Sequence, residues 1–380
     1  MPEIFTVNSV PASYTSAHDA LWFVVSSPNS NQNNFKYVFD VQIGGVTVAT
    51  VKNYPDEGGY GVFDAAPIIR NYFASGFSTS GSSLLQYADG FLHVDFTVIY
   101  GEQVGGAITT NITSSTSKGW NYALDPFRES ISTYANKFLT SRDRTSGQVM
   151  PGEKFYITFF NANSANVTAT IQKLNEDGSN DGSSATGGGL GTQHGLLLDL
   201  SFYAINQYLG STFITSSTYA WRVTVGSDSI VVKHACAPRF TPVQLVFQNK
   251  FGGYDSFVFR LLSRESQKVS RSTYKTNEYR RVGAAMAHKA SSGVHFGGTQ
   301  AFAGNVSYGY KVVSDYISAL DYELGAQLIA SNEAYLYRGD DYYPIIMRET
   351  SWEEKNDTAD KMFNYELNFD LGVKQQTQYR

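Results

Sequence analysis

The sequence almost lacks cysteine, since Cys236 is the only one among 380 residues. A single cysteine excludes a disulfide within the chain and suits folding in a reducing compartment. The first residues show no basic segment followed by an apolar run, so we expect no secretory signal. No stretch approaches 18 consecutive apolar residues, which argues against a helical membrane span.

Charge is also scarce, because only 17% of the residues are charged whereas 42% are apolar. Such a composition can bury a large core and differs from that of disordered proteins. The formal net charge of -5 provides no overall attraction to nucleic acid or to anionic lipid. We therefore expect a folded chain without a membrane partner.

Aromatic and turn-forming residues are abundant, with 26 Tyr, 25 Phe and 34 Gly. Aromatic and β-branched side chains suit the pleated, half-buried surface of a sheet, whereas Gly, Ser and Asn favour turns. The length also exceeds that of one typical domain. Composition and length together predict a mainly β protein with tandem β-sandwich-like domains, followed by an α+β C-terminal domain with a basic arm.

The first predicted domain, residues 1–118, has the residue pattern of a β-sandwich. Segments 22–26, 37–43 and 91–100 alternate apolar and polar residues, as strands with one buried face do. Gly-Gly pairs lie between such segments and mark turns.

The second predicted domain, residues 119–237, combines a connector helix with another sandwich. Asp125 is a favoured N-cap and Pro126 a favoured first helical residue. Apolar residues then recur at helical spacing as far as Phe138. We therefore predict a helix over residues 126–139.

The strand-rich part of the second domain resembles the first domain. Segments 61–64 and 68–72 correspond to segments 197–199 and 204–208, with an Asp before a short apolar helix in both copies. The Asp would cap that helix. A tandem duplication and a chance similarity of two short segments account for the correspondence equally well, so both stay open.

The third predicted domain, residues 238–380, is α+β with an arm at about 260–300. A helix is predicted to begin around Ser314. Its apolar face consists of Ile317, Leu320, Leu324 and Leu328. Residues 363–371 alternate apolar and polar side chains, which is typical of a strand with one buried face.

A search for catalytic residues finds no convincing set. The six His residues have no metal-ligand spacing. His234 and Cys236 lie two residues apart on a predicted strand, and a buried thiol beside a polar residue is favoured over a reactive thiolate pair. We therefore predict no catalytic residue, no metal ligand, no cofactor and no enzymatic activity.

Two acidic segments deserve separate interpretation. Asp177–Gly182 matches the first half of a calcium loop, but Gly188 stands where the bidentate Glu is required, so a hairpin loop is favoured. Asp340 and Asp341 are interpreted as a tight turn. A pair of carboxylates brought together by the fold for glycoside hydrolysis stays open.

The basic stretch at about residues 260–300 is a local charge asymmetry in an acidic chain. The candidate contact residues within it are Arg264, Lys268, Arg271, Lys275, Arg280 and Arg281. With few apolar anchors, the stretch is interpreted as a long exposed hairpin or arm that contacts an acidic neighbouring subunit. A plain solvated face and a nucleic-acid contact with Tyr274 and Tyr279 are the alternatives.

The C-terminal third contains the pattern Pro238-Arg-Phe, then Leu245-x-Phe-x-Asn249-x-x-Gly252-Gly253-x-Asp255-x-Phe-x-Phe259. With Tyr335-Leu-Tyr, Tyr343-Pro-Ile-Ile and the strand at 363–371, it resembles virion proteins of tailed phages of Bacteroidetes hosts, including crAss-like phages. The resemblance implies a tail, neck or ring component, and it carries no defined functional residue.

We therefore expect a structural subunit of a tailed-phage virion, assembled in the host bacterial cytoplasm, that forms an oligomeric ring or collar. Its expected partners are copies of itself and other virion proteins, without nucleic acid or a small-molecule substrate. One alternative is a carbohydrate- or receptor-binding fibre or adhesin module. Another is a depolymerase on a β scaffold.

Overall fold

The computed structural model divides the chain into two compact units. The first unit comprises Met1–Ala237 and Phe247–Ser256, and the second comprises Pro238–Val246 and Phe257–Arg380. The structure describes residues 6–73, 77, 84–88, 91–114, 116–125, 129–291, 293–315, 317–318, 321–349, 362–364, 366–373 and 375–376. Within these residues, no helix is long and apolar enough to cross a membrane.

The protein is mainly β, as predicted. The strands of the first sandwich and the linker after it are β1 (Thr6–Ser9), β2 (Trp22–Ser26), β3 (Lys36–Ile43), β4 (Val46–Asn53), β5 (Tyr60–Asp64), β6 (Leu85–Ala88), β7 (His93–Val104), β8 (Ala107–Thr113) and β9 (Ser117–Trp120). Helix α1 (Ala66–Ile69) continues as a 3-10 turn over Arg70–Tyr72.

A second sandwich follows in the same unit. Its strands are β10 (Lys137–Leu139), β11 (Gly147–Val149), β12 (Tyr156–Phe160), β13 (Thr168–Leu174), β14 (Asn180–Gly189), β15 (Gly195–Asp199), β16 (Ala220–Val225) and β17 (Asp228–His234). Helix α2 (Phe202–Leu209) lies between β15 and β16 and ends at Gly210, whose φ of 64° suits a glycine C-cap.

The two sandwiches share one core topology, which is the arrangement that a tandem duplication would give. The larger sheets have the strand orders β4-β3-β7-β8 and β14-β13-β16-β17. The smaller sheets have the orders β1-β2-β5 and β10-β12-β15. Seven strands of one repeat thus have counterparts in the other in the same chain order, whereas β6, β9 and β11 have none in this arrangement.

The Asp that the sequence pairs in the two repeats has the same role in both. The Leu21 and Ala66 N–H groups donate to Asp64 Oδ1 at 2.8 and 2.9 Å. In the second repeat, the Phe155 and Ser201 N–H groups donate to Asp199 Oδ1 at 3.2 and 3.0 Å. Each carboxylate therefore ties the chain just before a short helix to the neighbouring strand. The predicted capping role is wrong, because the N-cap residues are Ala65 and Ser201.

Each repeat has its own hydrophobic core between its two sheets. Large members of the first core are Phe23, Tyr37, Phe39, Phe63 and Tyr100. Large members of the second core are Phe138, Ile157, Phe159, Ile171 and Trp221. The proposed division at 118/119 stays a prediction, because both repeats lie in the first unit.

The connector helix was predicted over residues 126–139, of which residues 126–128 lie outside the described residues. Over the rest of this range the prediction is wrong. Only a 3-10 turn forms, over Ile131–Tyr134. Asn136 then has φ 56°, and β10 pairs with β12 through Phe138 opposite Phe159. The helical spacing was misleading because Phe138 is buried by strand pairing.

The second unit contains the predicted arm and most of the remaining strands. The remaining strands are β18 (Val243–Gln248), β19 (Tyr254–Phe259), β20 (Arg264–Thr276), β21 (Tyr279–Val282), β22 (Ala285–His288), β23 (Ala290–Ser291), β24 (Val294–His295), β25 (Gly298–Val313), β26 (Ile317–Ser318), β27 (Ala334–Arg338), β28 (Asp341–Met347), β29 (Met362–Phe363), β30 (Glu366–Leu371) and β31 (Gln375–Gln376). Its principal strand order is β20-β25-β30-β28-β27-β18.

The helix predicted from Ser314 begins later, as α3 (Tyr322–Ala330). Ile317 instead belongs to β26, which pairs with β29, and Leu320 lies outside the described residues. Leu324 and Leu328 are buried on α3, as predicted. The start was misjudged because residue spacing alone does not distinguish a short paired strand from a first helical turn.

Of two other C-terminal predictions, the acidic turn is confirmed, and the strand at 363–371 is confirmed only over Glu366–Leu371, because Phe363 belongs to β29 and pairs with β26. Gly339 and Asp340 have φ values of 62° and 68° and join β27 to β28, so the acidic pair sits in a hairpin turn of the type that needs positive φ at both positions. In β30, Leu367 and Phe369 are buried, whereas Glu366 is exposed.

Candidate functional site

The basic stretch forms a long two-stranded hairpin, here called the arm and defined as residues 264–313. Strand β20 pairs with β25 from Arg264 opposite Lys311 to Thr276 opposite Gly298. At the rise of a β-strand, the 13 residues of β20 extend about 44 Å. The exposed hairpin predicted from the sequence is therefore present.

The six candidate contact residues do not share one face of the arm. Because side chains alternate along β20, Arg264 and Lys268 point to one face while Arg271 and Lys275 point to the other. Arg280 and Arg281, in the hairpin β21–β22 at the tip, also alternate. Positive charge therefore surrounds the arm, whereas a strip along one face is what a single phosphate backbone would need.

None of the six basic residues forms an ion pair with a carboxylate in the part of the chain that the structure describes. All six are exposed. Their charges are therefore available to an external partner, although the same arrangement also suits a charged edge strand that discourages aggregation.

Polar contacts fix the root of the arm, the part around Gly309 and Tyr310, in contrast to the shaft that extends beyond it. Arg348 binds both carboxylate oxygens of Asp370 next to Gly309 in β25, and these hydrogen bonds lower the pKa of Asp370. Arg338 Nη1 donates to the Tyr310 hydroxyl at 2.8 Å. The root is therefore fixed in its own sheet while the shaft extends from it.

The tip of the arm consists of two small hairpins, β21–β22 and β23–β24. Gly297 allows them to pack, since a Cβ at this residue would lie 2.6 Å from the Glu278 Cα. On one face of β21–β22, the Tyr279 ring stacks near His288 with 4.3 Å between centroids.

The arm also carries apolar side chains, which corrects the expectation of few apolar anchors. Eight of its large hydrophobic residues are exposed, namely Val269, Tyr274, Tyr279, Val282, Met286, Val294, Phe296 and Phe302. Tyr274 and Phe302 form an aromatic pair with 6.0 Å between ring centroids. Exposed apolar groups beside unpaired charges are typical of an interaction surface. The sequence signal was present as scattered aromatics, but without strand pairing their clustering was not visible.

The sequence missed a second exposed surface, on the smaller sheet of the first repeat. Its outer face carries Trp22, Val24, Tyr60 and Val62, and Trp22 is 52% exposed. Residues 22–26 are nearly all apolar, so both faces of β2 are apolar although only one faces the core. That lack of strict alternation was the available signal.

Cys236 is exposed, so its interpretation as a buried thiol is wrong. It lies two residues after the end of β17 at His234, where the chain has left the sheet and the periodicity of burial has ended. His234 packs instead on the Phe202 ring, with 5.0 Å between centroids. The two side chains thus have separate surroundings.

Ser164 and His194 approach each other but lack the arrangement of a nucleophile and its base. Ser164 Oγ lies 3.2 Å from His194 Nδ1 and 3.0 Å from Nε2. The lone pairs of the two ring nitrogens diverge, so an oxygen nearly equidistant from both lies on neither axis. The alignment needed for proton transfer is absent from this pair.

The calcium-like segment forms a hairpin turn between β13 and β14. The Ser179 hydroxyl and N–H both donate to Asp177 Oδ1, at 2.6 and 2.9 Å, and these bonds lower the pKa of Asp177. Asp181 accepts separately from the Ser183 N–H. No group of three or more metal-ligating side chains occurs within the described residues.

The pattern that carries the phage resemblance forms a buried turn between β18 and β19. Asn249 Oδ1 accepts from the N–H groups of Phe251 and Gly253, at 3.0 and 3.2 Å. Asn249 Nδ2 donates to the Leu139 carbonyl and to Asp255 Oδ2. Although the sequence analysis placed residues 247–256 in the third domain, these contacts explain why they cluster with the first unit.

Asp255 at the end of this turn is completely buried. Burial raises the pKa of its carboxyl, opposed by the nearby Arg142 charge and by hydrogen bonds from Asn249 and Thr140. Asp255 Oδ1 has no hydrogen-bond partner among the described residues. A buried carboxyl with one oxygen unpaired favours the protonated form.

The raised pKa predicts a specific pH dependence of stability. Relative to Asp255→Asn, the wild-type chain should lose free energy of unfolding as pH rises above about 4, the usual pKa of an Asp carboxyl in an unfolded chain. The reason is that the unfolded carboxyl ionises at lower pH than the folded one. Urea denaturation of both proteins between pH 4 and 8 measures this difference. A wild-type advantage that grows with pH would instead mean that Arg142 keeps the carboxylate ionised.

Comparison with known proteins does not identify the chain: no family model matches it, and no curated protein does.

Proposed function

We propose that this protein is a structural subunit of a tailed-phage virion that builds an oligomeric ring or collar in the neck or tail. The observation that carries the proposal is the arm, a hairpin about 44 Å long whose basic and apolar side chains are exposed. The exposed side chains of the arm do not pack into the core of their own chain. The arm therefore suits a contact with another molecule.

The distribution of charge supports a protein partner over nucleic acid. Arg271 and Lys275 project from the face of β20 opposite to that of Lys268. Val269, which is exposed, lies between Lys268 and Arg271 in the sequence. A surface that alternates charge and apolar groups on both faces suits burial between subunits. The proposed partners are thus further copies of the chain and other virion proteins, assembled in the host cytoplasm, with no catalytic role.

The solution mass of the purified chain tests self-assembly directly. Size-exclusion chromatography with light scattering should give a defined high multiple of 41.9 kDa, as a closed ring requires. A chain that remains monomeric at every concentration would contradict assembly through its own copies.

Charge reversal on the arm should weaken assembly. We expect Lys275→Glu to reduce the apparent association constant about tenfold, because it places a negative charge opposite an acidic partner. The control is Lys137→Glu, which reverses another exposed lysine outside the arm. Wild-type assembly should also weaken as sodium chloride is raised. Equal behaviour of both variants in sedimentation velocity would argue against an electrostatic arm contact.

The exposed aromatics of the first repeat favour a second candidate, a carbohydrate-binding fibre or adhesin module. Trp22 and Tyr60 lie on one face of the smaller sheet, and such rings can stack on sugars. They are four residues apart along the paired strands, about 13 Å, with Val24 and Val62 between them. A glycan array with the wild type and Trp22→Ser tests this role.

A further inference from the structure

The two repeats differ in what covers the outer face of the smaller sheet. In the first repeat this face is exposed: Trp22, Tyr60 and Val62 are 52%, 41% and 37% accessible. We call Trp22, Val24, Tyr60 and Val62 the open face. The strand pairing gives each of these residues a counterpart in the second repeat.

The counterparts are covered. Tyr156 corresponds to Trp22, Thr158 to Val24 and Leu197 to Val62, and their accessibilities are 1%, 0% and 0%. The same sheet position is therefore fully buried in one repeat and open in the other.

In the second repeat, the chain around Tyr254 and the Phe77 ring cover part of this face, and β19 also extends the sheet by pairing with β12 at Asp255 opposite Ile157. The Tyr254 N–H, just after the β18–β19 turn, donates to Thr158 Oγ1 at 2.8 Å. The Phe77 ring bridges Tyr156 and Tyr254, with centroids 5.0 and 5.4 Å away. The second repeat thus shows that aromatic side chains from outside the repeat can cover this sheet face.

The outer edge of β5, which borders the open face, has few free backbone groups to pair with an added strand. The Val62 carbonyl accepts from Asn53 Nδ2 at 2.8 Å, and the Tyr60 carbonyl accepts from the Asp56 N–H at 2.8 Å. These groups on β5 are already satisfied, so an occupant would bind mainly through side chains on the face.

The arm offers a surface that suits the open face, namely exposed aromatic side chains with positive charge around them. It is a β-hairpin with an exposed aromatic pair, since Tyr274 and Phe302 are 42% and 45% accessible. Residues 260–300 carry eight Lys and Arg against two Glu, whereas residues 1–118 carry nine Asp and Glu against four Lys and Arg. The two surfaces are therefore complementary in charge as well as apolar.

Exposed acids flank the open face at both ends. Asp19 precedes β2 near Trp22, and Asp56 and Glu57 precede β5 near Tyr60. Apolar side chains with acids on either side match an aromatic pair with lysines and arginines around it.

We propose that the open face, from here on also called the seat, binds the arm of a second copy of this chain. Tyr274 and Phe302 would pack over Trp22 and Val62. This inference rests on the proposed assembly function and assigns its interface. A contact between two different surfaces is heterologous, so each copy offers one arm and one seat, and a closed ring results if the rotation closes.

Two double variants test the assignment. Trp22→Ser with Val62→Ser removes the seat, and Tyr274→Ser with Phe302→Ser removes the aromatic pair of the arm. All four side chains are exposed, so both variants should keep the wild-type circular dichroism and melting temperature. The control is Val46→Ser, because Val46 is 66% exposed on the other sheet of the same repeat.

Each double variant should be monomeric by light scattering, while Val46→Ser assembles like the wild type. An equimolar mixture of the two variants should form a species of twice the chain mass and no larger one, because one intact arm and one intact seat remain.

The alternatives give different results. If the seat variant assembles normally while the arm variant does not, this assignment is overturned but the assembly function stands. If the wild type is monomeric, both are overturned. If Trp22→Ser abolishes binding to a bacterial polysaccharide and leaves assembly unchanged, the open face is a glycan site and the assignment is again overturned.

Discussion

Replacing Gly252 with alanine should cost about 4 kcal/mol or more of unfolding free energy, one of the largest effects of any single substitution in this chain. Gly252 has φ 80°, and a Cβ there would lie 1.6 Å from the Asn121 carbonyl oxygen. That oxygen belongs to the backbone, so the turn itself would have to move. Displacing the turn would also break the Asn249 bonds to Phe251 and Gly253.

Gly178→Ala is the matched control. Gly178 also has φ 80°, but no atom lies within 4 Å of its would-be Cβ. Its substitution should cost only the conformational penalty, about 1 kcal/mol. Urea denaturation followed by tryptophan fluorescence compares the two. Similar losses in both variants would show that φ, and not the close approach to Asn121, explains the glycine in the resemblance pattern.

Removing the shaft and tip of the arm should leave both units folded and abolish assembly. The change deletes residues 271–304 and joins Ser270 to Asn305 through Asn-Gly, which favours a two-residue hairpin turn. It retains the pairing of Val269 with Val306 and of β25 with β30. The deleted part of β20 is almost entirely exposed, so its loss should change the melting temperature little.

A smaller deletion distinguishes the shaft from the tip. Removing only residues 279–296 takes away both tip hairpins but keeps Tyr274, Phe302 and Lys275. If the aromatic pair makes the contact, this variant should still assemble, with a weaker dependence on salt. An armless chain that reaches the wild-type multiple of mass by light scattering would refute the role of the arm.

Some features were predictable because they depend on local chemistry. The turn at Gly339 and Asp340 follows from residues that tolerate positive φ. The Asp before each short helix, Asp64 and Asp199, accepts a backbone N–H two residues later, which is a short-range hydrogen bond. Exposure of the arm follows from a run of polar and basic residues without a continuous apolar face. The sequence also indicated the repeat, since its two copies keep similar residues at these positions.

Other features required contacts between distant residues. Phe138 has helical spacing, yet it joins a strand because β12 offers an edge that β10 completes. Gly252 is constrained by Asn121, which lies 131 positions earlier in the chain. Propensity is a weak local preference, whereas burial and strand pairing involve larger free energies set by the whole fold.

The sequence by itself thus determined the mainly β class, the Asp that precedes each short helix and a basic exposed hairpin, because period, charge and turn chemistry are local properties. Only the tertiary structure decided which sheet faces are covered. Trp22 and Tyr156 are equivalent aromatic residues in equivalent strands, but one is exposed and the other is buried. The difference arises because Phe77 and the chain around Tyr254, both distant in sequence, pack against Tyr156 and Thr158 of the second repeat, and accessibility depends on such long-range packing and not on the residue itself.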